Sequence, residues 1–146
     1  MRIAVASDHA GFRAREALSK RLGELGHEVV DFGCANEESC DYPDFVVPAA
    51  RAVAEGRCAL GFVLGGSGNG EAIAANKVAG IRAAVITDDF TAEMARRHND
   101  ANVGSFGSRV LPEERILRYA ALFLATPFEG GRHVRRIEKI AALEKR

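Results

Sequence analysis

Leu60-Gly61-Phe62-Val63-Leu64-Gly65-Gly66-Ser67-Gly68-Asn69-Gly70-Glu71 is the stretch that decides how this chain is read. An apolar run, Leu60 to Leu64, feeds a glycine-rich turn, and the turn opens a helical segment, Ala72 to Val78. A bare backbone at a strand-to-helix turn can close around an oxyanion or a phosphate. The N–H groups of a helix's first turn have no partner within the helix and point at such a ligand. The turn ends in a carboxylate, Glu71. A pure anion cradle has no use for that charge, so it points to chemistry. The plain structural alternative is a tight turn with a capping Ser or Asn.

Three familiar glycine motifs come close and fail. The P-loop spacing is met by Gly65 and Gly70, but Glu71 stands where the phosphate-binding Lys belongs and would repel a nucleotide. The dinucleotide fingerprint G-x-G-x-x-G/A ends on Glu71 when started at Gly66 and on Ile73 when started at Gly68. The nucleophile elbow G-x-S-x-G around Ser67 ends on Asn69. The loop belongs to none of those classes.

Outward from the loop, short apolar strands alternate with amphipathic helices. Strands are predicted at Ile3 to Ser7, Glu28 to Phe32, Ala59 to Leu64, Arg82 to Thr87 and Val103 to Phe106. Helices are predicted over Phe12 to Leu25, Phe45 to Ala54, Ala72 to Val78, Thr91 to His98, from Pro112 to about Ala125, and Arg132 to Lys145. Gly26, Gly56 and Gly80 are stops, Thr87 or Asp88 lies near the start of the fourth helix, and Ala35 to Pro43 and Thr126 to Gly131 are loops. Strict β-α alternation implies an open parallel sheet with helices on both faces. Ligands of such sheets bind beyond the carboxyl ends of the strands. Asp8-His9 after the first strand, the glycine loop after the third and Arg109 after the fifth are therefore expected on one edge.

Composition bounds the partners. The 146 residues are 47% hydrophobic, enough for one domain with a buried core, and no repeat, low-complexity tract or linker divides residues 1–146. Lys+Arg and Asp+Glu stand at 20 each. A neutral chain offers no electrostatic attraction to nucleic acid or an anionic membrane surface. No apolar run approaches the roughly 18 residues of a membrane span, and Met1 to Ala6 is too short for a signal segment. Cys34, Cys40 and Cys58 form no C-x-x-C pair, and the histidines at 9, 27, 98 and 133 are scattered, so no metal site is expected. Free thiols fit a reducing, cytoplasmic setting.

Some polar residues carry two readings each. Asp8-His9 before Ala10-Gly11 sits at a strand-to-helix junction and is either a helix cap with an incidental histidine or part of a site. His98-Asn99 at the end of a helix either complements the dipole or supplies a neutral-pH proton carrier. Arg132 and Arg136, four apart, share a helix face. They are either a solvated patch or, with Arg109, a phosphate clamp. Cations at a helix N-terminus oppose the macrodipole, which favours an anion there. A carboxylate base, a histidine acid, an anion-stabilising loop and arginines suit proton transfer next to a sugar carbonyl. Such an aldose–ketose isomerisation requires no metal, redox cofactor or nucleophile.

At this point the chain resembles the type B ribose-5-phosphate isomerases and their galactose-6-phosphate isomerase relatives. The resemblance rests on Ser7-Asp8-His9-Ala10-Gly11, Asp41-Tyr42-Pro43, Gly66-Ser67-Gly68-Asn69-Gly70 and Ala74-Ala75-Asn76-Lys77. It continues through Arg97-His98-Asn99, Phe106-Gly107-Ser108-Arg109 and Gly131-Arg132-His133. The segments run in order over nearly the whole chain. The resemblance implies a Rossmann-like three-layer α/β sandwich and a homodimer, or a dimer of dimers, with active sites at the subunit interface. It implies that some phosphate ligands come from the partner chain, and that the terminal helix, with Ile137, Ile140, Ala141 and Leu143, helps pair subunits; the alternative is that this stripe packs on its own sheet. By position, His98 would open the furanose, Asp8 would position the sugar, and Gly66 to Gly70 with the Ser67 hydroxyl would stabilise the enediolate. Asn99 would hold a substrate oxygen, and His9, Arg109, Arg132 and Arg136 would take the phosphate. One branch of the family carries its base as a cysteine just before the Gly-Ser/Thr-Gly run; here that position is Gly65. The other branch uses a glutamate after the loop, which makes Glu71 the base. The expected reaction interconverts ribose 5-phosphate and ribulose 5-phosphate. The alternatives are a six-carbon sugar phosphate such as allose or galactose 6-phosphate, a free aldose, or a non-catalytic sugar-phosphate-binding subunit.

Overall fold

Five short strands lie parallel in the order β2-β1-β3-β5-β4. They are β1 (Arg2–Ser7), β2 (Glu28–Asp31), β3 (Leu60–Gly65), β4 (Ala83–Val85) and β5 (Val103–Gly107). The helices are α1 (Phe12–Glu24), α2 (Pro43–Ala54), α3 (Asn69–Asn76), α4 (Asp89–Arg97), α5 (Glu113–Ala125) and α6 (Arg132–Ala142). The structure, a computed structural model, describes residues 1–144. The expected end of the last helix at Lys145 lies outside the described residues. None of the described helices is long and apolar enough to cross a membrane.

The strands alternate in side-chain size, and that alternation sorts the helices. On one face Ile3, Val5, Phe62, Leu64 and Phe106 pack against α1, α4 and α5 through Leu18, Leu22, Ala92, Ile116 and Phe123. The Phe62 ring stands 5.8 Å from that of Phe106 and 5.4 Å, edge-on, from that of Phe123. On the other face Ala4, Ala6, Val63 and Val103 meet Val46, Ala49, Ala50 and Val53 of α2 and Ala75 of α3. Period-two alternation of large and small residues thus produces one thick and one thin layer about the sheet. This is the three-layer Rossmann-like sandwich that the alternation and the resemblance imply.

Element boundaries depart from expectation where local chemistry outweighs periodicity. Helix α2 starts two residues early because Pro43 suits a first helical turn, and it accommodates Pro48 farther along. Helix α3 starts at Asn69, inside the glycine run, because Gly68 takes φ +84° and turns the chain directly from strand to helix. It stops at Asn76 rather than Val78. Strand β4 keeps only Ala83–Val85 of the expected Arg82 to Thr87. Asp88 caps α4, accepting from the Thr91 amide at 2.7 Å. The sheet reverses its winding direction at β1/β3, which opens a crevice at the carboxyl ends of those strands.

Strand β4 is an edge, and Asn76 covers it. Its side-chain amide donates to the Ala83 carbonyl at 3.0 Å and its oxygen accepts from the Ala83 N–H at 2.8 Å. A side chain thereby supplies the two bonds a neighbouring strand would offer. Asn76→Ala should lower stability by about 1 kcal/mol, the net worth of such bonds at a wet edge. Urea denaturation is expected to give a lower midpoint with an unchanged slope; an unchanged midpoint would show that water replaces the amide without loss.

Candidate active site

The carboxyl edge gathers the loops after β1, β3 and β5. Asp8 is buried, and its Oδ1 accepts from the backbone N–H groups of Ala10 (2.9 Å) and Gly11 (3.2 Å). That turn starts α1. The Nδ1 of His9 accepts from the Cys40 N–H at 3.2 Å. In a neutral ring this leaves the proton on Nε2, which makes that atom a donor. Asp8, His9, Cys40, Asp41, Tyr42 and Asp44 line one open hollow at this edge. The Tyr42 ring packs so closely on the glycine loop that a Cβ at Gly70 would lie 2.5 Å from it.

The glycine loop is pinned by the loop beside it. The N–H groups of Ser108 and Arg109 donate to the Gly65 and Gly66 carbonyls at 2.7 and 3.0 Å. The Ser108 hydroxyl donates toward Ala10 O (2.7 Å) and Gly65 O (3.0 Å), so one oxygen ties together the loops after β1, β3 and β5. Ser105 Oγ donates to Gly68 O at 2.7 Å. The guanidinium of Arg109 lies against Gly66, and a Cβ there would sit 3.4 Å from its Nη1. Ser67 and Asn69 face solvent, with Ser67 Oγ accepting from the Asn69 N–H at 3.2 Å.

Glu71 is the second buried carboxyl group of this edge after Asp8, with 4% of its surface exposed. Its side chain folds back under Gly65, so that any Cβ at position 65 would overlap the Glu71 carboxylate. Burial raises its pKa above the ordinary carboxylate value, and the negative charge of Asp8 adds to the rise; the backbone amides of Glu71 and Gly68 pull the other way.

His98, Asn99, Arg132 and Arg136 do not join this group. His98 caps the C-terminus of α4, which runs back against the strand direction. The residues that follow sit at the start of the sheet: Asn102 O accepts from the Gly61 N–H, and the Asn102 N–H donates to Arg82 O just ahead of β4. The Asn99 carbonyl accepts from Arg82 Nε at 3.0 Å. The Glu129 N–H donates to Arg97 O, which brings the start of α6 to the same edge. There Arg132 Nη1 stands 4.0 Å from Glu129 Oε1, and Arg136 is exposed one turn on. A six-residue strand spans about 20 Å. Within one chain, Arg109 therefore cannot clamp one phosphate together with Arg132 and Arg136, and His98 cannot share a sugar with Glu71.

The roles of Ser105, Ser108, Glu129 and His133 are absent from the sequence reading. Ser108 and His133 fall inside quoted motifs, and their proximity to assigned residues was the available signal. Glu129 sits in a loop of no periodicity and offered none. In the terminal helix Val134, Ile140 and Leu143 are exposed and Ile137 is half-buried, while Ile140 and Leu143 line a hollow beside β4 with Ala83 and Ala84.

A raised pKa in the folded state means the native protein holds the Glu71 proton more tightly than the unfolded chain. Stability then falls as pH rises from the unfolded value, near 4.5, through the raised native value. Glu71→Gln should therefore be more stable than the parent above that window and equal to it in acid below pH about 4, since both then carry a neutral group. Thermal melts across this range check it; a parent that is the more stable at neutral pH would place the carboxylate in a compensated site.

A sequence profile described as ribose/galactose isomerase matches residues 3–140. The chain is 43% identical to ribose-5-phosphate isomerase B of Escherichia coli K12, covering 99% of this chain and 97% of that protein. It is 40% identical to ribose-5-phosphate isomerase B of Mycobacterium tuberculosis H37Rv, over 99% of this chain and 91% of that one. The fold superimposes on a ribose-5-phosphate isomerase B of Clostridium thermocellum with a TM-score of 0.98 at 46% identity, over 99% and 98% of the two chains. A Mycoplasma genitalium ribose-5-phosphate isomerase B with bound ribulose-5-phosphate gives 0.95 at 39% identity, over 99% and 96%. With its whole length matched in both sequence and fold, the chain belongs to the ribose/galactose isomerase family.

Proposed function

We propose that this chain interconverts ribose 5-phosphate and ribulose 5-phosphate, with Glu71 as the base. The observation that carries the assignment of the base is the position of its carboxylate. It fills the space a side chain at Gly65 would need, at the floor of the glycine loop. A cysteine at that position and a glutamate folded back from position 71 would thus deliver a base to the same spot. Burial raises the pKa of Glu71 and so strengthens it as a base.

The route needs only side chains already named. His98 protonates the ring oxygen and opens the furanose. Asp8, held by its own turn, positions the sugar. Glu71 takes the C2 proton and returns it to C1 through a cis-enediol. The Ser67 hydroxyl and the loop amides from Gly66 to Gly70 stabilise the enediolate oxygen, as donors preset for developing charge do. Asn99 holds a substrate oxygen. His9, through Nε2, and Arg109, Arg132 and Arg136 take the phosphate. His98 carries the ring-oxygen proton and Glu71 the carbon-bound one, while the proton lost from O1 on ring opening and the one passing from O2 to O1 in the enediol exchange with water. The overall change is an isomerisation and calls for no redox group.

The separation of the two groups within one chain supports a homodimer. Two copies related by a twofold axis can bring the amino edge of one against the carboxyl edge of the other, twice. The exposed stripe Val134, Ile140 and Leu143 offers apolar surface for such pairing. The protein works as a single domain in the cytoplasm, where its free thiols suit a reducing medium.

Glu71→Gln should lower kcat by about 10²- to 10⁴-fold with little change in KM, the scale of a lost general base. Arg136→Ala should mainly raise KM for the phosphorylated sugar. Mixing inactive Glu71→Gln and His98→Asn chains by unfolding and refolding should restore about a quarter of parental activity. Half of the dimers are then mixed, and each mixed dimer holds one intact site. The assay follows ribose 5-phosphate to ribulose 5-phosphate, with allose 6-phosphate and free ribose in parallel. No recovery on mixing would end the shared-site reading, and equal turnover of free ribose would end the phosphate clamp.

A further inference from the structure

Beside the arginines proposed for the phosphate lies a cluster of which the isomerase route uses His98 alone. The rings of His98 and His133 stack at 4.2 Å between centroids and 16° between planes. One carboxylate faces both: Glu129 Oε2 is 3.4 Å from His133 Nε2 and 3.6 Å from His98 Nε2. His133 is only 4% exposed, and its Nε2 is buried without a hydrogen-bond partner. A buried polar atom without a partner is costly and calls for an occupant. We propose that His98, Glu129 and His133 form a binding site for a divalent cation of the zinc class.

The geometry suits that ion. The three ligand atoms already lie within 4.8 Å of one another. Tetrahedral zinc with bonds of about 2.0–2.2 Å holds its ligand atoms roughly 3.3–3.6 Å apart. The two distances that involve Glu129 match those edges, so only the two imidazoles must converge. His133 is the fixed anchor, while the side chains of His98 and Glu129 are 36% and 45% exposed and free to turn. Because the rings are nearly parallel, His98 turns to bring its Nε2 toward the shared ion. Two nitrogens and one oxygen select zinc, copper, nickel or cobalt over magnesium and calcium, which prefer all-oxygen shells. Three protein ligands leave a fourth position for water or a substrate oxygen. Arg132 shares the Glu129 carboxylate and Arg136 lies one turn on, so the local positive charge makes the affinity modest.

The binding stands apart from the isomerase reading; its consequence rests on it. An ion on His98 Nε2 removes the ring-opening acid, so zinc should inhibit reversibly. Zinc titration by calorimetry on the full chain is expected to give one ion per chain. Binding should weaken about tenfold or more in Glu129→Gln and His133→Asn, with no heat from magnesium. Glu129→Gln alters a half-exposed side chain, and its circular dichroism should match the parent, which keeps the test clear of misfolding. Cys40→Ser should bind as the parent does; this control matters because Cys40 Sγ lies 3.9 Å from His9 Nδ1 and is the competing soft site. Unchanged zinc binding in Glu129→Gln and His133→Asn, or its loss in Cys40→Ser, overturns the proposal. The activity arm separates the two ideas. Zinc inhibition that EDTA reverses and Glu129→Gln escapes upholds both. Zinc bound by these three residues with activity intact upholds the site and counts against His98 as the acid.

Discussion

In a parallel sheet every strand points the same way, and each connecting helix must run back. Whatever follows a strand lies at one edge, and whatever follows a helix lies at the other. This single directional constraint arranges every polar feature of the molecule. It brings Asp8, the glycine loop and Arg109 together although about 100 residues separate the first from the last. It equally holds His98 and Arg132 a strand's length away. The carboxyl edge holds the buried Glu71 carboxylate with Arg109, and the amino edge holds His98, Arg132 and Arg136. Neither edge alone contains all the residues proposed for the sugar phosphate. Under the proposed reading, assembly of two chains is a requirement of the chemistry and not only of surface burial.

Rigidity at the carboxyl edge comes from hydroxyls rather than from bulk. Ser108 joins the loops after β1, β3 and β5, and Ser105 fixes the carbonyl of Gly68 from inside the sheet. These bonds are short; that of Ser105 is buried and those of Ser108 are half-buried, where each is worth more than at the open surface. They hold the exposed Ser67 and the loop amides in place without filling the crevice in front of them. An oxyanion placed in the crevice would therefore meet donors that need no reorganisation.

The alternation of strands and helices was legible in the sequence because it is local. Apolar periods of two and of 3.6 residues, with glycine stops, mark β1 to β3 and α1 to α5 without reference to the rest of the chain. The sheet order was not legible. Strands β4 and β5 are both short and apolar, and nothing in either says that β5 sits inside and β4 at the rim; pairing is settled between segments far apart. The start of α3 at Asn69 was hidden because a glycine at positive φ can begin a helix that its flexibility would seem to forbid. The proposed site residues were legible as residue types in motifs. Their division between two edges was not, since it depends on which way each helix runs. The buried position of Glu71 was foreshadowed only by its misfit at the end of a glycine loop.

The reciprocal fit of Gly65 and Glu71 also constrains how such a site can change over generations. A side chain at 65 and the folded-back carboxylate of 71 exclude each other from one space. A chain that gained a cysteine at 65 while keeping the glutamate would have to turn that carboxylate out of its pocket, away from the substrate. With Glu71 as the proposed base, a chain that lost the glutamate first would have none. The passage between thiol and carboxylate chemistry therefore runs through a paired exchange, and each lineage is held to its choice by the volume of a few atoms.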